Sequence, residues 1–97
     1  MNKIVLSVIA LKELEESFDW YEERLTGLGE RFVEVIDKAL NVISDNPKAF
    51  PKKKGNYREI VINKFPFVIV YEFSKKDNTI YILHVFHAKR QPKLKHK

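Results

Sequence analysis

Ninety-seven residues, 44% of them hydrophobic and only seven of them glycine or proline (three and four), describe one globular domain over 1–97 rather than a disordered chain. The lack of cysteine excludes a disulfide scaffold, a thiol nucleophile and a thiolate metal site. A net charge of +5 is unevenly spread: residues 1–49 hold six cations against ten carboxylates, giving −4, whereas residues 50–97 hold twelve cations against Glu59, Glu72 and Asp77, giving +9. That asymmetry points to a polyanion or an acidic protein surface as the partner of the second half.

The first element is a strand over 3–6, where Ile4, Val5 and Leu6 form a short apolar run. The apolar stretch at this end is only about seven residues long, short for a signal peptide, without a small-residue cleavage site, and far too short to span a membrane. A cytoplasmic protein with no membrane partner is expected. Ser7 stands where a helix N-cap belongs, and Leu11, Leu14, Phe18, Tyr21 and Leu25 then recur at spacings of three and four. The opposite side carries Lys12, Glu13, Glu15, Glu16, Asp19, Glu22 and Glu23, which reads as a solvated face. Thr26-Gly27-Leu28-Gly29 interrupts the pattern, with Thr26 as the expected cap of a second helix. Its stripe runs Leu28, Phe32, Val35, Ile36, Ala39, Val42, Ile43, and Asn46-Pro47 ends it, because proline disfavours helical geometry in the residue before it. Two antiparallel helices joined by a tight turn follow.

Residues 46–56 read as a loop, with two prolines, a glycine and Lys52-Lys53-Lys54. Three segments, 57–63, 67–73 and 79–87, are rich in β-branched and aromatic residues and predict strands, the last two joined by the turn Lys75-Lys76-Asp77-Asn78. Pro66 fits a strand start. In the last strand strict alternation sets Ile80, Ile82, His84 and Phe86 against Tyr81, Leu83, Val85 and His87. Both faces are largely apolar, so this strand is expected to be central and covered on both sides. The helices cover one face; the C-terminal tail or a partner is expected on the other. The fold class is α+β, in the order β-α-α-β-β-β, with a helical hairpin packed on one face of an antiparallel sheet of three or four strands.

That order, with a basic second half, resembles the RelE/ParE superfamily of type II toxin–antitoxin toxins over nearly the whole chain. The resemblance is carried by Leu14-Glu15-Glu16-Ser17-Phe18-Asp19-Trp20-Tyr21-Glu22, Gly27-Leu28-Gly29-Glu30-Arg31-Phe32, Asn46-Pro47, Tyr57-Arg58, Lys64-Phe65-Pro66-Phe67, Tyr71, and Val85-Phe86-His87-Ala88-Lys89-Arg90-Gln91-Pro92. It implies a toxin neutralised by a cognate antitoxin whose acidic C-terminal segment wraps it. It also implies a target, either DNA gyrase, inhibited by binding, or the ribosome with its messenger RNA, cleaved there. Nuclease members commonly carry a tyrosine or an extra basic residue after the last strand. Here the last tyrosine is Tyr81 and Ala88-Lys89-Arg90-Gln91-Pro92 follows His87, a departure from a complete nuclease site; the histidine-then-arginine ending is shared with gyrase-directed relatives and does not separate the two targets.

Cleaving RNA with its own 2′-hydroxyl needs a base, an acid for the leaving oxygen and cations on the phosphate. The candidates are Arg58, whose fixed fork suits a phosphate, His87, which titrates near neutrality, and Arg90. Lys52, Lys53, Lys54, Arg58, Lys64, Lys89 and Arg90 are the candidates for holding a nucleic acid or an acidic partner. Each has a plainer role beside it: Arg58 as the mate of a carboxylate, His87 as a hydrogen-bonded structural histidine. His84 is expected in the core, Tyr71 in packing, and Trp20 at a helix edge or a partner contact. Arg58, Lys64, His87 and Arg90 are expected to gather at one end or face of the sheet. There is no Gly-rich phosphate loop, no metal-spaced His/Asp cluster and no serine placed as a nucleophile, so neither a cofactor nor a metal is expected. Three readings stay open: a gyrase-binding toxin like ParE, a ribosome-dependent endoribonuclease like RelE, and a degenerate member that only binds an antitoxin or acts as a basic nucleic-acid module.

Overall fold

The computed structural model describes residues 2–89. Its elements run β1 (Lys3–Leu6), α1 (Val8–Arg24), α2 (Leu28–Asp45), β2 (Lys52–Lys54), β3 (Tyr57–Ile62), β4 (Phe67–Ser74) and β5 (Thr79–His87). Five strands form one sheet in the order β1-β5-β4-β3-β2, with the helical hairpin packed on one face. Pairing is antiparallel from β2 to β5, as expected, but β1 joins β5 in parallel, Ile4 opposite Ile80 and Leu6 opposite Ile82. The short β2 lies where a loop was expected; with β3 beside it, the lysine run becomes the outermost strand of the sheet. Lysine on an outer strand is a common guard against pairing with other chains.

Ser7 caps α1 as its position predicts, its hydroxyl oxygen accepting from the Ala10 N–H at 2.9 Å while its O–H donates to the Leu83 carbonyl at 3.0 Å. One side chain therefore sets the helix start and ties it to β5. The buried stripe of α1 is rotated from the predicted one. Ala10 and Tyr21 are buried, whereas Leu11 and Leu25, expected in the core, are 49% and 64% exposed. Thr26 does not cap α2. Gly27, at φ 91°, is the N-cap, and the free amides of Gly27 and Gly29 donate to the two oxygens of the Glu22 carboxylate at 2.8 and 2.9 Å. A carboxylate there also faces the positive end of the α2 dipole.

The core between helices and sheet centres on Phe32, Phe67, Ile69, Tyr71, Ile80, Ile82 and Val85. Tyr21, Phe32, Phe65 and Phe67 form an aromatic cluster, with centroids 4.7 Å apart for Phe32–Phe67 and 5.0 Å for Tyr21–Phe65. Strict alternation fails in β5. Tyr71 pairs with Ile82 and Val70 with His84, so Leu83 is the extra residue of a β-bulge. Beyond it the faces exchange: Val85 joins Ile80 and Ile82 under the helices, and Leu83 packs with Val68, Val70 and Phe86 on the far side. Val68, Val70 and Phe86 are themselves buried, only 5–6% exposed, so the far face near β5 offers less open apolar surface than its sequence suggests.

Candidate functional site

Arg58 lies on the helix face of β3, opposite Tyr71, as alternation predicts. Its guanidinium donates to the Phe50 carbonyl at 2.7 Å and the Lys48 carbonyl at 3.4 Å. The Tyr71 hydroxyl donates to the Pro47 carbonyl at 2.8 Å. Together these side chains pin the 46–51 segment over the end of the sheet, satisfying carbonyls that helix α2 no longer serves. Burial pushes the Tyr71 hydroxyl above its ordinary pKa, partly opposed by the nearby Arg58 charge. Lys52 sits beside Arg58 in register, and Lys52, Lys53 and Lys54 are all exposed along the sheet edge.

His87 occupies the other end. It pairs with Phe67, its ring centroid 5.5 Å from that ring, and its Nδ1 accepts the Lys89 N–H at 3.1 Å. The Ala88 N–H donates to the Pro66 carbonyl at 2.7 Å, so the chain leaving β5 lies beside the β3–β4 turn that carries Lys64. Lys64, His87 and Lys89 therefore share one end, and Arg58 and Lys52 the other. Arg90 lies outside the described residues. The expected gathering does not extend to Arg58: four positions along β4 separate the rows of Tyr71 and Phe67. With two strand spacings across the sheet, Arg58 and His87 stand roughly 16 Å apart at their backbones.

His87 opens on a groove of about 290 Å³ shared with Glu13, Glu16, Ser17, Trp20, Val85 and Phe86. Trp20 is at the helix edge, with the Arg24 guanidinium 3.5 Å over its ring. Glu13 is a site residue that its sequence context concealed among solvated glutamates. One of its oxygens accepts the Val85 N–H at 2.7 Å and the other lies 3.2 Å from His84 Nδ1. Beyond Leu6 no strand among the described residues pairs with this edge of β5, and a side chain from α1 takes over the ladder bond there. His84 is half-buried against that carboxylate at the edge of the sheet, rather than in the core. Among the described residues no cluster of His, Cys, Asp and Glu has the arrangement to hold a metal ion, and no helix is long and apolar enough to cross a membrane.

A two-helix hairpin on this five-stranded sheet is a fold that the chain shares with solved RelE and ParE toxin structures. Residues 4–92 match the ParE toxin of type II toxin–antitoxin system, parDE, and the chain belongs to that family. Among solved structures it is similar to the chromosomal ParDE system of P. aeruginosa, with a TM-score of 0.76 and 15% identity over 90% of this chain and 96% of that one. It is also similar to a chain of the intact E. coli RelBE toxin–antitoxin complex, with a TM-score of 0.72 and 18% identity over 93% of this chain and 100% of that one. The isolated E. coli RelE toxin matches at 0.71 and 16% identity, over 99% of this chain and 94% of that one. No curated protein matches the chain in sequence.

Proposed function

We propose that this toxin stops growth by binding a type II topoisomerase, DNA gyrase, rather than by cutting RNA. The observation that carries this reading is the separation of Arg58 from His87. RNA cleavage needs an acid, a base and a phosphate-binding cation within reach of one phosphate. Arg58 is committed to the carbonyls of Phe50 and Lys48, and His87 Nδ1 to a backbone amide, at opposite ends of the sheet. The groove beside His87 also carries Glu13 and Glu16, whose charge opposes a phosphate rather than drawing it in.

The partner is a cognate antitoxin, as in the RelBE complex and the ParDE system that this fold resembles. Its acidic stretch lies along the second half, where Lys52, Lys53 and Lys54 line the sheet edge and Lys64 and Lys89 the far end. Arg58 adds to the same field from beneath the 46–51 segment. A gyrase target places the protein in the cytoplasm.

Induced expression in bacteria tests the target. The expected outcome is filamentation with DNA-damage signalling, and purified gyrase losing supercoiling activity when the toxin is added. Immediate translation arrest with transcripts cut at ribosomes, and gyrase unaffected, would replace this reading with the endoribonuclease. Unimpaired growth alongside antitoxin binding would mark a degenerate member.

A further inference from the structure

The sheet face turned away from the helices carries one row that crosses all five strands. Register sets Lys54 beside Tyr57, Tyr57 beside Glu72, Glu72 beside Tyr81 and Tyr81 beside Val5. Alternation fixes the face, because the chain neighbours Tyr71, Ile80, Ile82 and Ile4 pack into the core under the hairpin. Tyr57 is 46% and Tyr81 37% exposed, so two rings stand in solvent. Glu72 stands between them, and among the described residues its carboxylate has neither a hydrogen bond nor an ion pair. The second half of the chain has only three carboxylates, Glu59, Glu72 and Asp77, against twelve cations. Two of those three, Glu59 and Glu72, lie on this face.

Two strand spacings put the tyrosines about 10 Å apart at their backbones, with the carboxylate between them. That row suits a guanidinium, whose planar fork bonds a carboxylate while its faces meet aromatic rings. A nucleic-acid strand stacked on the same rings would bring its phosphates against Glu59 and Glu72. An acidic antitoxin stretch is turned away from the centre of the face on the same ground. Tyrosine and arginine are also the residues that most often carry the energy of a protein interface. We infer that this face engages the topoisomerase, with an arginine of the target seated on Glu72 between Tyr57 and Tyr81. This deepens the gyrase reading above and rests on it. An antitoxin along the lysine edge then blocks the target by covering the Lys54 end of the row.

The test measures the concentration of the full chain that halves supercoiling by purified gyrase. Glu72→Lys should raise it about tenfold or more, because a cation replaces the carboxylate that meets the arginine. Glu72→Gln keeps the shape and one acceptor oxygen, and should fall between Glu72→Lys and the wild type. Tyr57→Ala/Tyr81→Ala should also weaken inhibition, by about tenfold. Circular dichroism checks the fold of each variant, and the near-isosteric Glu72→Gln carries the test if a larger change unfolds the sheet. Glu23→Lys makes the same charge change on the hairpin and should match the wild type. Full potency in Glu72→Lys or in the double tyrosine variant would overturn the proposal. So would an equal loss in Glu23→Lys, which would make the effect one of net charge. Wild-type binding to a labelled single-stranded oligonucleotide, lost in Tyr57→Ala/Tyr81→Ala, would give the rings to a nucleic acid instead. A wild type without effect on gyrase refutes the target and this inference together, whereas inhibition that no variant alters refutes only the inference.

Discussion

The Tyr71 ring fills the core while its hydroxyl holds the Pro47 carbonyl, and Arg58 holds the carbonyls of Lys48 and Phe50 along the same segment. Tyr71→Phe keeps the ring and strands a carbonyl, which should cost about 1–2 kcal/mol in denaturant unfolding. Its pH signature is distinct. Burial raises the native pKa of this hydroxyl above 10.0, so above that pH the unfolded chain loses a proton that the native one retains. Stability is therefore fully present below pH 10 and falls as pH rises toward and through the native value. Urea midpoints measured from about pH 8 to about pH 11 should show this decline in the wild type and a shallower one in Tyr71→Phe. A parallel decline in both would mean that the hydroxyl does not titrate differently in the two states. Arg58→Ala should also lower stability, by about 1–2 kcal/mol, because Phe50 and Lys48 lose a charged donor. Unchanged stability would free Arg58 for a role in partner contact alone.

At the scale of elements, the two helices approach closely at the turn between them. A Cβ on Gly29 would lie 2.8 Å from the Phe18 carbonyl oxygen and 2.9 Å from the Phe18 ring. Gly29→Ala should therefore spread the two helices and cost about 1–3 kcal/mol. Glu22→Ala removes the acceptor for two amides at once and should cost about 1–2 kcal/mol, with Glu22→Gln recovering part of it. Thermal melts of the three variants check both statements. If Gly29→Ala melts like the wild type, the close approach relaxes without strain. Much of this architecture could be read from the chain: Ser7 as a cap, both helices, and the span of β5 follow from residue type and period. What escaped had non-local causes. Glu22 caps a helix other than its own, and Glu13 serves a strand some seventy residues further on. The bulge at Leu83 exchanges the faces of a strand with apolar residues on both sides, where no pattern break announces it. Arg58 and His87 were each recognisable as candidates, but their distance depends on strand register, which side-chain type does not encode.

Over the whole molecule, charge is partitioned by layer, with carboxylates on the helical hairpin and cations on the sheet and its margins. An antitoxin that meets both halves should associate fast at low ionic strength. Raising salt should slow association while changing dissociation little, because apolar anchors hold the complex once formed. Stopped-flow and dissociation measurements across a salt series check this, and complete loss of binding at moderate salt would mean that charge carries nearly all of it. The sheet order has another consequence. β5 lies between β1 and β4, and Ser7 reaches across 76 positions to the Leu83 carbonyl. A fragment ending before Thr79 thus lacks the strand on which the first and fourth both depend. It would bare the edge of β4 and leave β1 with nothing to pair, so it would be prone to stick to other chains. Premature termination in the 75–78 turn would therefore yield an insoluble remnant, and the cell would lose the toxin outright rather than inherit a weaker one.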